Sequence, residues 1–528
     1  ASIIEKGTTN GGITDINGKF TLTVKPGATL KISYIGYQTQ EVKAARTMKI
    51  ILKEDSELLQ EVVVVGYGTQ KKANLTGAVA TVDVNKTLDS RPIADIGRGL
   101  QGAVAGVNIT IPTGEVGSDP LIKIRGQVGS ISGNNTPLIL LDNVEIPSIQ
   151  MVNPNDVQSI SVLKDAASSS IYGSKAAFGV ILITTKSGAQ SDKFEISYSN
   201  NFSWQDPAKK IEIGGIEALQ YTLDAQTNRR EPMPAGGFWR ISPESLEKAI
   251  EWQNLYGGKV KWNDPVVYGR DWFYDGKDKY GYRLYDGAKA MIKNWTPTMT
   301  HNLSVNGKSG KTSYNIGLGY LDQSGMSKTA KKDDFKRYNA SVSVTSEINK
   351  YITVRASSIY SDRNKRYPGI GNTTADPWLY LYRWSPLMPM GVTENGNPLK
   401  EPTYEMAAAN TDNLQNKYYN INLGFTLNLT KNWDVKFDYT YDRQTTETNS
   451  SVMQYEAGEM WYAPTAWMEN GSQVFVNEQG ERVDTGGMPA YRFPVNKYYN
   501  SSGPSASQVG NNSKSIDNNT FCLLYTSD

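Results

Sequence analysis

The chain has 528 residues, more than one ordinary domain needs. Its 55 Lys and Arg nearly balance 53 Asp and Glu, so no strong field points to nucleic acid. Mean hydropathy is −0.48 and no run of about 18 apolar residues occurs, which excludes membrane-spanning helices but not membrane β-strands, whose apolar load is halved.

One cysteine, Cys522, and one histidine, His301, exclude a disulfide framework and a Cys/His zinc site. A Ser-His-Asp triad would have to use His301, which sits in the strand-like alternation Thr300 to Val305. We therefore expect no catalytic residue, metal or cofactor. The chain opens at Ala1 without a charged n-region and apolar core, so a leader has been removed or the sequence is a fragment.

Residues 1–54 read as a small β domain. Three alternations are expected to be strands: Phe20, Leu22, Val24; Leu30, Ile32, Tyr34; and Met48, Ile50, Leu52. Turns at Asn17-Gly18 and Pro26-Gly27 separate them. The order Thr14-Asp15-x-x-Gly18-x-Phe20, Gly27-Ala28-Thr29-Leu30, Ser33-Tyr34-Ile35-Gly36-Tyr37 resembles the carboxypeptidase-regulatory-like β-sandwich. That resemblance implies a non-catalytic module, truncated at its N-terminus.

Residues 55–72 form a linker around Val62 to Val65. Four β-branched residues favour extended backbone. Alone, the run reads either as a buried strand or as a strand that joins another protein's sheet edge. Gly66-Tyr67-Gly68 lacks the later glycine and helix that a dinucleotide site requires.

Residues 73–190 are mixed α/β, and their motifs are long and ordered. Ile124-Arg125-Gly126 comes first, then Pro137 to Val144 with Asp142, then Asn153 to Val157. Ser159 to Ala166 with Lys164 and Asp165, Ile171-Tyr172-Gly173 and Gly179 to Lys186 follow. The segment resembles the plug domain of TonB-dependent outer-membrane transporters, in particular the SusC/RagA-like branch. On the residues themselves, Lys164-Asp165 reads as a surface or plug-to-wall ion pair rather than a catalytic pair, and Arg125 as a wall contact rather than an anion site.

Residues 191–528 alternate. Trp433, Val435, Phe437, Tyr439 and Tyr441 share one face against Asp434, Lys436, Asp438, Thr440 and Asp442; Tyr314 to Tyr320, Tyr338 to Val344 and Ile421 to Leu427 repeat the pattern. Seven strands are expected, near 194–204, 298–307, 312–323, 335–347, 351–362, 417–429 and 433–445. Their connections alternate long and short, as outer loops and periplasmic turns do. Ser242 and Pro243 open a predicted helix in the first long loop. Trp378, Tyr380, Tyr382 and Trp384 cluster in the second, and read equally as substrate-stacking rings or as the loop's own core. The ending Phe521 to Asp528 reads as a break in the alternation and a truncation or read-through artefact, and seven strands fall short of the about 22 of a plugged barrel.

The expected fold is therefore mainly β: a truncated β-sandwich, a mixed α/β plug domain and the N-terminal part of a large transmembrane antiparallel β-barrel. The resemblance implies a non-enzymatic importer in the outer membrane of a Gram-negative, Bacteroidetes-type cell. It implies TonB, a SusD-like surface lipoprotein, outer-membrane lipid and an oligosaccharide or peptide as partners. Glu61, Val62, Val63, Val64, Val65 and Gly66 then become the TonB box, and Arg125, Gly126, Asp142, Lys164, Asp165, Tyr172 and Gly173 the plug motifs. The alternatives are a siderophore- or cobalamin-type receptor and a secreted β-rich glycan-binding adhesin.

Overall fold

The computed structural model describes residues 2–52, 62–71, 79–111, 115–126, 136–186, 194–229, 241–369, 377–450, 468–490 and 510–527. Positions 9, 16–17, 35–36, 66–67, 83, 85–94, 208–209, 275–278, 395, 431–432, 471, 478, 480 and 485 are excepted. Strands β1 (Ser2–Glu5), β2 (Gly11–Ile13), β3 (Thr29–Tyr34) and β4 (Tyr37–Lys43) form one antiparallel sheet in the order β2-β1-β3-β4. Only one of the three alternations expected here, Leu30 to Tyr34, is a strand. Phe20 to Val24 and Met48 to Leu52 carry no ladder, yet Phe20, Leu22, Val24, Met48, Ile50 and Leu52 all pack on buried Ile3, Leu30 and Ile32. Side-chain bonds tie these segments instead, from Asn10 Nδ2 to the Thr23 carbonyl (2.9 Å) and from Gln40 Nε2 to the Ile51 carbonyl (3.1 Å). The period-two pattern marked core-facing side chains, and main-chain pairing did not follow.

The valine run is strand β5 (Val62–Val65), paired antiparallel with β6 (Gly68–Lys71) as a two-stranded ribbon. The next body holds β7 (Val79–Val82), α1 (Ile96–Leu100), β8 (Val107–Thr110), β9 (Leu121–Ile124), β10 (Leu138–Leu141), β11 (Val144–Glu145), β12 (Val157–Leu163), α2 (Ala166–Ser169) and β13 (Val180–Thr185). Its sheet runs β11-β10-β13-β12-β7, with β10 and β13 parallel and the other pairs antiparallel. Val180 to Ile183 are all buried, because this central strand is covered on both faces.

The largest sheet begins with β14 (Glu195–Gln205). A long connection follows, carrying α3 (Ile216–Arg229), α4 (Pro243–Tyr256), β15 (Trp272–Tyr274), β16 (Lys279–Gly281) and α5 (Gly287–Met291). Ser242 caps α4 in a reciprocal box with Ser245, and Pro243 occupies the first turn, as the sequence predicts. Then come β17 (Thr296–Ser309), β18 (Thr312–Ser324), β19 (Asp334–Glu347) and β20 (Ile352–Pro368). A second long connection holds α6 (Pro377–Arg383) and α7 (Pro402–Ala408), before β21 (Thr411–Thr430) and β22 (Trp433–Ser450). Short strands β23 (Met468–Glu469), β24 (Ser472–Gln473), β25 (Phe475–Val476), β26 (Arg482–Val483) and β27 (Met488–Pro489) lead to β28 (Gly510–Ser527).

Among the described residues the wall therefore has eight antiparallel strands, in the order β14-β17-β18-β19-β20-β21-β22-β28, and not seven. The segment expected to break the pattern is part of the eighth: β28 pairs β22 throughout, with Phe521 opposite Tyr439 and Leu523 opposite Phe437. Cys522 and Leu524 interleave two more apolar residues, which hides the period in the sequence. The wall is polar inside and apolar outside, the reverse of a soluble sheet. Ile316, Leu318, Tyr338, Ile421 and Leu423 are exposed, whereas Asn315, Arg337, Asn339, Arg363 and Asn420 are buried. On β22, Trp433 and Tyr441 share the outer face eight residues apart. At about 3.4 Å per residue and a tilt near 40° that spans about 21 Å, close to the height of a membrane apolar band.

Candidate functional site

Three places bear on function: the valine ribbon, the seam between the mixed body and the wall, and the layer formed by the two long connections. In the ribbon, Val62 faces Lys71, Val63 faces Gln70 and Val65 faces Gly68. Among the described residues each strand has one ladder partner, so the second edge of β5 pairs with no strand. Glu61 and Gly66 lie outside the described residues.

The seam follows from the pleat. Alternate side chains of β19 point inward, and Arg337, Asn339 and Ser341 each meet the mixed body. Arg337 Nη1 donates to the Gln150 carbonyl (3.0 Å), Asn339 Nδ2 to the Met151 carbonyl (2.8 Å) and Ser341 Oγ to Asp156 Oδ2 (2.8 Å). On β20, Arg363 Nη1 donates to Ser148 Oγ (2.8 Å), and Ser148 in turn donates to Asp119. Lys365 bonds Glu115 at 2.9 Å. Asn153 Nδ2 reaches Asn302 Oδ1 on β17 (3.1 Å). Buried Tyr418 of β21 joins the core of the mixed body, and Val116 packs on Leu321 and Phe335.

Two glycines of β18 make room for this seam. A Cβ at Gly317 would overlap the Asp156 carboxylate, and one at Gly319 would lie 2.6 Å from Asn153 Nδ2. Burial pushes the Asp156 carboxyl above its usual range, with Ser341 pulling the other way.

The sequence-assigned motif residues serve turns and caps. Asp142 and Asn143 both adopt positive φ (47° and 69°), a type I′ turn between β10 and β11. The Asp142 carboxylate accepts from Thr185 N (2.9 Å) and Oγ1 (2.6 Å), while burial raises its pKa. Arg125 (φ 54°) and Gly126 (φ 65°) turn the chain after β9, and Arg125 is exposed rather than set against the wall. Lys164 Nζ donates to the Ala105 carbonyl (2.6 Å), and Asp165 caps α2 by accepting from Ser168 N (2.8 Å). Both residues thus serve the main chain, one on a carbonyl and one at a helix start. Tyr172 packs on Leu140, Leu163 and Val180, and Gly173 (φ 66°) breaks the helical turn beside it. His301 lies outside the seam, in the aromatic patch with Tyr198, Phe202 and Tyr320; Tyr198 Oη lies 2.8 Å from its Nδ1.

The long connections share a core. Val266, Trp272, Tyr285 and Ala290 of the first pack with Trp384, Met388, Met390 and Leu399 of the second. Val266 N donates to the Val392 carbonyl and Tyr285 N to the Pro386 carbonyl, both at 2.8 Å. Trp384 is buried, with its Nε1 on the Met388 carbonyl (3.2 Å), and Tyr380 packs edge-on against it. Those two rings build the loop layer. The side chains of Trp378 and Tyr382 lie outside the described residues.

Sequence reasoning missed the layer's polar hub, buried Asp271. It accepts from Trp252 Nε1 (2.9 Å), Val267 N (3.0 Å) and Arg270 (2.7 Å), and faces the fully buried Arg283 at 3.5 Å. It also missed buried Glu401, which caps α7 through Thr403 N (2.7 Å) and Tyr404 N (2.9 Å); burial raises its carboxyl to about 7. Glu401-Pro402-Thr403 was the available signal, an acceptor followed by a first-turn proline.

Residues 71–180 match the TonB-dependent receptor plug domain family, and residues 1–64 the CarboxypepD_reg-like domain family. The chain is 31% identical over 353 residues to the TonB-dependent receptor SusC of Bacteroides thetaiotaomicron, covering 65% of this chain and 30% of that protein. It is 30% identical over 428 residues to the TonB-dependent receptor P26 of Formosa agariphila, covering 79% and 39% respectively. The structure of the RagAB peptide importer in its open-open state superposes with a TM-score of 0.54 at 27% identity, covering 76% of this chain and 45% of that one. The chain thus spans about a third of the length of the curated relatives it matches.

Proposed function

The chain is a SusC/RagA-like TonB-dependent receptor, and from that premise we propose that the whole protein imports an oligosaccharide or peptide across the outer membrane. The observation that carries the proposal is the seam. A folded body fills the polar side of an antiparallel wall whose other side is apolar, held there by a row of polar side chains beside the apolar contacts of Tyr418 and Val116. Hydrogen-bonding groups regain partners in water when such a seam opens, so the plug is held and can still be moved.

In this reading residues 1–54 are a periplasmic module, 55–72 a coupling linker, 73–190 the plug and 191–528 wall and outer loops. TonB adds a strand along the second edge of β5, using Glu61 to Gly66 as its box. Main-chain hydrogen bonds supply the affinity and transmit a pull to the plug. A SusD-like lipoprotein closes over the outer loops while ligand is bound.

Uptake tests the reading. Cells expressing the full-length protein should accumulate labelled oligosaccharide or peptide only when TonB is present. Uptake independent of TonB, or a soluble secreted product, refutes it.

A further inference from the structure

The loop layer contains a cavity of about 340 Å³ that the plug seam does not use. It opens between α4 and the β15–β16 hairpin, on the same face as the Asp271 hub. Tyr256, Phe273 and Tyr282 supply its aromatic lining, and Glu244, Lys248 and Arg270 stand at its rim with Glu251. The volume falls at the lower end of small-molecule sites.

The site is built. Trp252 lies beneath it, buried, with Nε1 fixed on Asp271 at 2.9 Å and its ring 5.9 Å from that of Tyr256. Phe273 and Tyr282 stack with an interplanar angle of 13°. Arg270 is held by both oxygens of Asp271, at 2.9 and 2.7 Å, so its guanidinium cannot swing away. Gly269 (φ 78°) leaves bare backbone at the mouth, with nothing within 4 Å of the place a Cβ would take.

The charge pattern selects the ligand class. Two carboxylates, Glu244 and Glu251, face two cations, Lys248 and Arg270, and Lys248 bridges Glu251 at 3.2 Å. A phosphate, an acidic peptide or a polyamine would gain from one sign and lose to the other. A neutral polyhydroxylated ring uses both: hydroxyls donate to carboxylates and accept from the cations, while its C–H faces lie on aromatic rings. We propose that this pocket is a ring-binding subsite for a neutral oligosaccharide, in the first long outer loop and separate from the plug.

The proposal rests on the import reading, and its test separates the two. The purified protein is titrated by calorimetry with neutral hexasaccharides of glucose, mannose and xylose, and with penta-lysine and penta-glutamate. Binding of at least one neutral sugar is expected, weakened about tenfold by Tyr256→Ala and several-fold by the near-isosteric Glu244→Gln, with neither charged peptide binding. Unchanged sugar affinity in both variants, or a charged peptide bound in place of every sugar, overturns the subsite. Uptake by cells carrying the same variants is scored in parallel. TonB-dependent uptake that survives such a result leaves the import reading standing without this pocket.

Discussion

Gly317→Ala tests whether the seam holds the plug. The new Cβ would overlap the Asp156 carboxylate and lie 2.5 Å from Ser341 Oγ, inside any ordinary contact. The carboxylate must retreat by about 1 Å to reach normal van der Waals distance, which takes it out of range of Ser341, now at 2.8 Å. Losing a bond to a buried carboxylate costs about 1.5–3 kcal/mol, roughly a ten- to hundredfold rise in local opening. Hydrogen exchange of the peptide covering 153–163 in the full-length protein reads that opening, because β12 sits behind the contact. Ser341→Ala alone should raise exchange as well, and added to Gly317→Ala it should raise it little further, since the two act through one bond. Unaltered exchange in Gly317→Ala, or full additivity of the pair, refutes the reasoning.

Val63→Pro should abolish uptake with ligand binding intact, because proline removes a donor from a pairing strand, while Val63→Ile should change little; normal transport by the proline variant would show the coupling segment lies elsewhere. Asp271→Ala should cost the loop layer about 3–5 kcal/mol by leaving buried Arg283 uncompensated, seen as faster proteolysis within 206–295 at unchanged wall stability. Glu401 keeps its proton up to about pH 7 when folded but loses it near 4.5 when unfolded, so folding of the α7 region takes up a proton between those values. Its contribution is full below about pH 4.5 and is lost as pH rises to 7, by about 3 kcal/mol at most. Hydrogen exchange at 402–409, corrected for intrinsic rates, should rise over that window in the native chain and stay flat in Glu401→Gln.

The wall was legible because period-two alternation survives even where neighbours differ, as in Trp433 to Tyr441. The eighth strand was not, because Cys522 and Leu524 put apolar residues on both parities. The seam was half legible. Tyr338, Ala340 and Val342 mark one face by their alternation, and the residues on the opposite parity, Asn339 and Ser341 with Arg337 before, stand in plain view. What they touch depends on which plug turn reaches β19, and no local pattern encodes a contact across some 185 residues. Helix caps show a similar limit: Ser242 was visible through Pro243, while Asp165, with no proline after it, shows its cap only where α2 starts. Trp384 read equally as ligand ring or core, and burial settles its place in the loop core.

The strand lengths carry one more consequence. Beyond Tyr360, β20 continues for eight residues to Pro368; β21 starts eight residues before Tyr419, and β22 runs nine past Tyr441. Their outward residues there are Asp362, Asn364 and Arg366, Gln415 and Lys417, Arg443 and Glu447, and Arg366 is locked to Asp334 by two bonds of 2.8 and 2.7 Å. Eight residues at about 3.4 Å and 40° of tilt raise the rim about 20 Å above the aromatic belt. Above the aromatic belt the wall therefore continues as a hydrogen-bonded sheet with a charged and polar outer face, a rigid collar rather than a fringe of loops.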